Sequence, residues 1–379
     1  MLYPQIATTV PQQKSSNVEV EWITDTRRMT ELANEWTALE SSTQQRTVFS
    51  SFDFLNSWYG NHVLYGGNPL IGVARRNGAL AGIAPLVVRR GSLARIPLNR
   101  VLFAMHDAYS GEFLVEDDHP ETIGAFIDSL AGTVSFDLIC LNGIEPGTSQ
   151  FSALKDAAKR NGLRVELTNH PNATVDLSGG YDGYCQSMSR NFRRTVKRQA
   201  QRVTSAGKPT VGGVRLDSGK DSLDSSVNRL FGIIENSYKM KGKRIPDCHR
   251  NHILEMAQRF AARNSLHLSI LSIGNTDAAA VMGLVERGTY YDFTLAYSEQ
   301  FAPLSPGAYL MQEVLSDLSE RGVHTVLSHG AHDYKLRWST AFVPSTRVFL
   351  FAKKNSAHIS RFVRFTMAPL MRKLGVEDP

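Results

Sequence analysis

The same order of predicted strands and helices occurs twice along this chain, roughly 190 residues apart. Each copy opens on a predicted hairpin, because Asn77-Gly78 and Gly274-Asn275 each separate two apolar runs and tolerate the positive φ of a tight turn. Helices and short strands follow each hairpin. We therefore expect two similar halves. The antiparallel hairpins favour α/β domains with mixed, α+β-like sheets over a purely parallel doubly wound sheet.

Local signals place several of these elements. Alternation of apolar and polar residues over 18–23 predicts a strand, and Asp25 is suited to cap the helix that follows. A helix over 308–321 carries its apolar residues on one stripe, and a final strand is predicted over 348–351. The predicted division is a flexible tail over 1–17, an N-terminal domain over 18–168, a C-terminal domain over 169–353 with a basic connecting helix over 186–204, and a basic C-terminal helix over 354–379.

Composition limits the classes of protein to consider. The chain has 379 residues, which exceeds one ordinary domain, and 42% of them are hydrophobic, which excludes wholesale disorder. No apolar run approaches the ~18 residues of a membrane span, and the N-terminus lacks the pattern of a signal peptide. The three cysteines are far apart and have no zinc-ligand spacing, so we expect reduced thiols and no metal. A cytoplasmic protein is the resulting expectation.

Common catalytic motifs are absent from the sequence. It contains no GxxxxGK[ST] phosphate loop, no GxSxG elbow, no HExxH zinc motif and no GxGxxG dinucleotide loop. Candidate sites must therefore come from less specific segments.

The first such segment is a run of basic residues. Between Gly183 and Leu216 there are eight basic residues and no acidic one, which accounts for the whole net charge of +6. On a helix, Arg190, Arg194, Lys197 and Arg198 form one stripe. Such a stripe repels itself unless an anion neutralises it, although a solvated helix face is the plainer alternative.

Two further segments follow predicted strands. The Pro306-Gly307 turn comes just before a helix, whose first amides have no internal partners and can bind a phosphate, although such a turn is often a plain connection. Downstream, 328–338 reads SHGAHDYKLRW and concentrates polar groups at the carboxyl end of a strand. That placement suits binding or proton transfer, and an ordinary capped helix is the alternative.

These segments together resemble a known family. Leu304-Ser305-Pro306-Gly307, Glu320-Arg321-Gly322 and Tyr334-Lys335 with Trp338, in this order, resemble the CelD/BcsL-type acyltransferases of the GNAT superfamily. The family is related to the tandem-domain Fem-type ligases, and the resemblance covers about residues 20–350. It implies two tandem GNAT-like acyltransferase domains, with acyl-CoA as co-substrate and a role in cellulose or exopolysaccharide production. One departure is the Phe301–Ala308 loop, which has a single glycine where GNAT enzymes usually have a glycine-rich pyrophosphate loop.

The resemblance supports a set of residue roles. We expect Asp292 to be the base, with Tyr291 and Phe293 desolvating it and raising its pKa. Tyr334 is the expected acid, and Lys335 is expected to steady the thioester oxygen or an acceptor phosphate. The remaining expected contacts are the pyrophosphate amides of Ser305, Pro306, Gly307, Ala308 and Tyr309, and the substrate-binding residues Arg190, Arg193, Arg194, His329 and Arg337.

The expected reaction moves an acyl group, acetyl by preference, to an amine or hydroxyl of a sugar, polysaccharide or lipid precursor. The expected partners are an anionic donor and an envelope-precursor acceptor. Peripheral contact with a membrane is compatible with the sequence. Two alternatives stay open. One is a Fem-like ligase that takes aminoacyl-tRNA, which is the only nucleic acid we expect the chain to bind, and the other is a non-catalytic GNAT-fold assembly protein.

Overall fold

The chain forms two compact units. The computed structural model describes residues 18–44, 46–61, 67–105, 111–214, 220–238, 240, 242–330 and 333–373. Unit 1 comprises Met1–His170 together with Pro344–Pro379, and unit 2 comprises Pro171–Val343. The predicted tail over 1–17 lies outside the described residues.

The strands are β1 (Val18–Ile23), β2 (Asn68–Arg76), β3 (Ala79–Leu93), β4 (Ile96–Phe103), β5 (Leu114–Val115), β6 (Leu138–Ile144), β7 (Arg164–Asn169), β8 (Asn172–Asp176), β9 (Pro209–Val214), β10 (Leu266–Ile273), β11 (Thr276–Glu286), β12 (Thr289–Tyr297), β13 (Thr325–Ser328), β14 (Ala341–Val343) and β15 (Thr346–Phe351).

The α-helices are α1 (Thr26–Glu31), α2 (Ala33–Ser42), α3 (Phe52–Gly60), α4 (Glu121–Thr133), α5 (Ser149–Arg160), α6 (Gly180–Ser187), α7 (Arg190–Ala206), α8 (Lys220–Glu235), α9 (Asp247–Ala262), α10 (Pro306–Glu320), α11 (Asp333–Leu336), α12 (Asn355–Phe362) and α13 (Ala368–Lys373). Among the described residues, 3₁₀ segments span Val48–Ser50 and Glu299–Leu304, and a π-helix spans Val363–Met367.

Each unit is built on one mixed sheet. The strand order is β1-β2-β3-β4-β6-β15-β7 in unit 1, with β5 paired to β3, and β14-β8-β13-β12-β11-β10-β9 in unit 2. In unit 1 the hairpin β2–β3 leads through β4 and α4 to β6, which is parallel to β4. In unit 2 the hairpin β10–β11 leads through β12 and α10 to β13, which is parallel to β12. The predicted repeat and the mixed sheets are therefore confirmed.

Both predicted hairpin turns form as expected. Asn77 and Gly78 adopt φ of 51° and 82°, and Gly274 adopts φ of 61°. The predicted cap also forms, because Asp25 accepts a hydrogen bond of 2.8 Å from the backbone N–H of Arg27. Tight turns and caps depend on neighbouring residues alone, which is why the sequence indicates them directly.

The last strand belongs to a different sheet from the one the repeat implied. The predicted C-terminal domain over 169–353 includes β15, whereas in the structure β15 lies in the sheet of unit 1, between β6 and β7. Val348 and Leu350 pack in the core of unit 1, and Phe349 and Phe351 on the other face contact Phe365. A strand that is apolar on both faces is suited to a central position. The basic helix predicted over 186–204 corresponds to α7 and lies within unit 2.

Helix α10 is tied to strand β10 by a polar cluster. Nε2 of the buried His267 lies 2.9 Å from Asp317 Oδ2, and Arg321 approaches the same carboxylate at 2.8 Å. The hydrogen bond with His267, followed by the one from Arg321, lowers the pKa of Asp317 to about 2. A carboxyl whose pKa is lowered by folding stabilises the fold at neutral pH and loses that contribution as acid protonates it.

We expect Asp317→Asn to lower the free energy of unfolding at pH 7. The difference in free energy of unfolding between the parent protein and the variant should shrink as the pH falls from 3.8, the ordinary pKa of the carboxyl, towards about 2. At that pH the carboxyl of the parent protein is protonated and neutral, like the amide of the variant. Urea unfolding at a series of pH values measures it. Asp247→Asn, which breaks an exposed pair with Arg244 of 3.3 Å, is the control and should change little. A difference for Asp317→Asn that does not vary with pH would contradict the assignment.

Candidate functional site

The parallel strands β12 and β13 separate at Asp292. Their pairing runs from Thr289 with Thr325 to Asp292 with Ser328, and β12 then continues to Tyr297. The register between β11 and β12 shifts at this point, so that Phe293 forms a β-bulge next to Asp292. A bulge bends its strand and re-aims side chains. The carboxyl end of β12 therefore diverges from β13, and Asp292 lies at the start of the gap.

Asp292 is buried and holds two polar partners on one oxygen. Ser328 Oγ donates a hydrogen bond of 2.5 Å to Asp292 Oδ2, and Lys335 Nζ lies 3.7 Å from the same oxygen. Asp292 and Lys335 are each 8% exposed. Lys335 Nζ also donates to the carbonyl oxygen of His329 at 2.8 Å. The hydroxyl and the ammonium together fix the orientation of the carboxylate.

The other carboxylate oxygen faces a small pocket. The pocket is lined by Ala173, Val175, Asp292, Val326, Ser328, Lys335, Trp338 and Ser339. Asp292 Oδ1 and Ser339 Oγ are buried and have no hydrogen-bond partner among the residues that the structure describes. Buried polar atoms are nearly always paired, so two unpaired oxygens in one pocket mark a place where a bound ligand or a water molecule supplies the hydrogen bonds.

Two hydrogen bonds hold the segment that closes this pocket. Asn172 Oδ1 accepts a bond of 3.0 Å from the N–H of Gly330, which adopts φ of 74°. Tyr184 donates through its hydroxyl to the carbonyl oxygen of Trp338 at 2.9 Å. The pocket wall is thus tied to β8 and α6 within unit 2.

The structure brings Asp292 and Lys335 together, as two of the three residues proposed for catalysis. The backbone of Tyr334 lies in α11, next to Lys335, and its side chain is outside the described part of the structure. Tyr291 precedes Asp292 on a strand and therefore faces the other side of the sheet. Burial of Asp292 comes instead from pocket residues such as Val326 and Trp338.

The proposed phosphate loop offers one free amide. Ser305 N–H donates to Ala302, Pro306 has no N–H, and the amides of Ala308 and Tyr309 donate to the carbonyl oxygen of Ser305 at 3.1 and 3.2 Å. The N–H of Gly307 has no partner among the described residues.

Most of the basic stripe on α7 is exposed and unpaired. Arg190, Arg194, Lys197 and Arg198 are exposed, and none has an acidic partner within 4.0 Å in the described parts of the chain. Helix α7 packs against both α10 and the 3₁₀ segment before it. Positive charge therefore lies beside the start of α10.

The other proposed substrate contacts differ in setting. Arg193 Nη1 donates to the carbonyl oxygens of Cys185, Gln186 and Met188, at 3.2, 3.0 and 2.7 Å, and so caps the end of α6. His329 is half-buried, and its carbonyl oxygen accepts from Lys335, whereas Arg337 is exposed and lies just after the end of α11.

Sequence reasoning gave no role in the site to Ser328, Ser339 or Asn172. Ser328 has a weak signal, because it is the first residue of the polar segment over 328–338 and ends the strand before it. Ser339 and Asn172 have none, since their roles depend on contacts made across unit 2.

Two properties of the described residues bear on the expected classes of protein. No group of three or more His, Cys, Asp or Glu side chains there is arranged to hold a metal ion. None of the helices in the described ranges combines the length and apolar composition that crossing a bilayer requires.

Two parallel strands thus diverge beside the start of a helix, and an acid and a lysine lie in the gap between them. Residues 190–336 match the family model of the acetyltransferase (GNAT) domain. The matched segment begins at α7 and ends with α11, and it includes Asp292 and Lys335. The GNAT match indicates a transferase, and GNAT domains typically use acetyl-CoA. No curated protein is similar enough in sequence to the chain to count as a match.

Solved structures share the fold over most of the chain at low sequence identity. FemX is 12% identical with a TM-score of 0.56, covering 94% of this chain and 99% of its own. L-PGS from Bacillus licheniformis is 12% identical with a TM-score of 0.53, covering 90% of this chain and 96% of its own. The C-terminal domain of a putative lysylphosphatidylglycerol synthetase from Agrobacterium fabrum is 13% identical with a TM-score of 0.52, covering 87% and 94%. With the GNAT match and the repeated sheets, these likenesses establish two GNAT-like domains.

Proposed function

We propose that unit 2 transfers an acyl group from acyl-CoA to an amine or hydroxyl of a sugar, polysaccharide or lipid precursor. The observation that carries the proposal is the pair of unpartnered buried oxygens, Asp292 Oδ1 and Ser339 Oγ, at the point where β12 and β13 separate. One can accept a proton from the acceptor, and the other can position it by a hydrogen bond.

The contacts of Asp292 give its two carboxylate oxygens different roles. Acyl transfer requires the attacking N–H or O–H to lose a proton while the leaving sulfur gains one. Ser328 and Lys335 hold Oδ2, which leaves Oδ1 to take the acceptor's proton inside the pocket. Lys335 then balances the charge that remains on the acceptor or on the thioester oxygen. Tyr334 is retained as the proposed proton donor to sulfur.

The start of α10 and the basic face of α7 fit a donor with a pyrophosphate. A helix N-terminus carries partial positive charge, and the Gly307 amide is free to donate. A single amide leaves most of a pyrophosphate's charge unmatched, so side chains must supply the rest. Arg190, Arg194 and Lys197, on the helix packed against α10, are the basic groups we assign to this role.

Calorimetry with acetyl-CoA and longer acyl-CoA tests the donor. We expect binding that weakens as salt is raised, and a loss of about thirtyfold when Arg194 and Lys197 are both changed to Ala, since each phosphate contact by a basic side chain contributes on the order of 1 kcal/mol. Lys208→Ala removes an exposed lysine of unit 2 outside α7 and is the control. A folded protein that binds none of these donors would rule out the acyl-CoA assignment.

A second candidate is favoured by one observation, the single sign of charge on α7. An uncompensated basic helix also suits the backbone of an aminoacyl-tRNA, which would then be the donor. A gel shift with tRNA separates the two candidates, because binding to RNA would have to fall steeply with salt. Binding to neither donor would indicate a non-catalytic assembly protein.

A further inference from the structure

The last helical segment of the chain presents a row of exposed apolar side chains. Ile359, Phe362, Met367 and Leu370 are 53%, 50%, 39% and 58% exposed. They lie on the continuous run formed by α12, the π-helix and α13. Single exposed apolar residues are common on protein surfaces, but four on one helical segment form a patch.

The π-helix places these four residues on one face. From Phe362 to Met367 is five residues, which would point the two side chains in different directions on an α-helix. The π-turn over Val363–Met367 takes up one extra residue, so that Met367 returns close to the direction of Phe362. Ile359 and Leu370 lie three residues before and after this pair and share its face.

The opposite face fixes the segment to unit 1. Ala357 and Ser360 are fully buried, and Ser360 Oγ donates to the carbonyl oxygen of Leu93 at 3.1 Å. The Phe365 ring packs edge-on against Phe349 and Phe351, with centroids 5.1 and 6.0 Å apart. The apolar row therefore faces away from the core that holds the segment.

The charge of this segment is of one sign. Residues 353–373 contain six lysines and arginines and no acidic residue. They are Lys353, Lys354, Arg361, Arg364, Arg372 and Lys373. Two of them are paired: Arg361 lies 2.6 Å from Glu166, which anchors the segment further to β7, and Lys354 lies 3.9 Å from Asp137.

We propose that this face docks on a membrane surface that contains anionic lipids. A helix with an apolar face and basic residues beside it lies in the interface between headgroups and acyl chains, where both features are satisfied at once. Anionic headgroups attract nearby lysines and arginines. A second copy of the chain fits less well, because pairing two such faces brings two basic segments together.

Sedimentation of the full chain with lipid vesicles tests the proposal. We expect the protein to sediment with vesicles of phosphatidylcholine mixed with phosphatidylglycerol, to sediment much less with phosphatidylcholine alone, and to be released by salt. Phe362→Ser combined with Leu370→Ser should weaken binding about tenfold or more, because two half-exposed apolar side chains no longer enter the lipid.

The matched control removes equal apolar exposure elsewhere. Leu167→Ser combined with Phe342→Ser changes two side chains that are 43% and 46% exposed, and it should leave binding unchanged. Thermal melting checks that both double variants are folded. If the Phe362/Leu370 variant does not fold, the combination of Ile359→Ser and Met367→Ser replaces it in the vesicle experiment.

Three results would overturn the proposal. The first is parent protein that stays in solution with the anionic vesicles. The second is binding that the Phe362/Leu370 change leaves intact. The third is that light scattering shows the parent protein to be a dimer, that these same substitutions dissociate it, and that the parent protein does not bind vesicles.

Discussion

Replacing Asp292 with Asn should lower turnover by about a hundredfold or more, which is the range lost when a general base is removed. The amide keeps the shape of the side chain and can still accept from Ser328, but it cannot take a proton. Release of free thiol from acetyl-CoA, measured over a panel of amine and hydroxyl acceptors, gives the rate. Near-normal turnover in the variant would remove Asp292 from the mechanism.

Stability has to be separated from chemistry in this variant. Asp292→Asn leaves the buried ammonium of Lys335 without its carboxylate, which costs stability. Asp292→Asn combined with Lys335→Met removes both charges and should recover the melting temperature without recovering turnover. Asp277→Asn makes the same chemical change in the ion pair with Arg229, elsewhere in unit 2, and should keep full turnover.

Much of the fold was predictable because its signals are local. The two hairpin turns, the cap at Asp25 and the apolar stripe of α10 depend on residues a few positions apart, and all form as expected. Strand β15 was located almost correctly along the chain. The sheet to which it belongs was predicted wrongly. Pairing between strands that are distant in sequence depends on which position in which sheet buries both faces of the strand, and the sequence does not show that directly.

The site was predictable only in part, for the same reason. Asp292, on a predicted strand, and Lys335, in the polar segment that follows another strand, were expected from the family resemblance, and the structure brings them to 3.7 Å. Ser339 lies only four residues beyond Lys335 and carries no signal of its own. Its importance comes from an unpaired hydroxyl in a pocket that exists only after β8, β12 and β13 have paired.

Gly283→Ala should destabilise unit 2 by about 2–3 kcal/mol, as overpacking of a core does. Tyr290 is fully buried, and its ring lies directly over Gly283, so that a Cβ at 283 would overlap the far end of the ring. Glycine inside a strand is normally a weak choice, and alanine there would otherwise be neutral or favourable. Gly212→Ala on β9, where a Cβ meets nothing within 4 Å, is the matched control and should not destabilise.

A double-mutant cycle shows whether the ring is the cause. Tyr290→Leu removes the overlapping atoms and leaves a cavity, so it destabilises alone, but the added methyl of Gly283→Ala then fills part of that space. Urea unfolding of the double variant should show a loss well below the sum of the two single losses. Additive losses would place the strain elsewhere. Because Gly283 pairs directly with Asp292 across the sheet, the overlap also displaces the strand that carries the proposed base, and turnover should fall in Gly283→Ala together with stability.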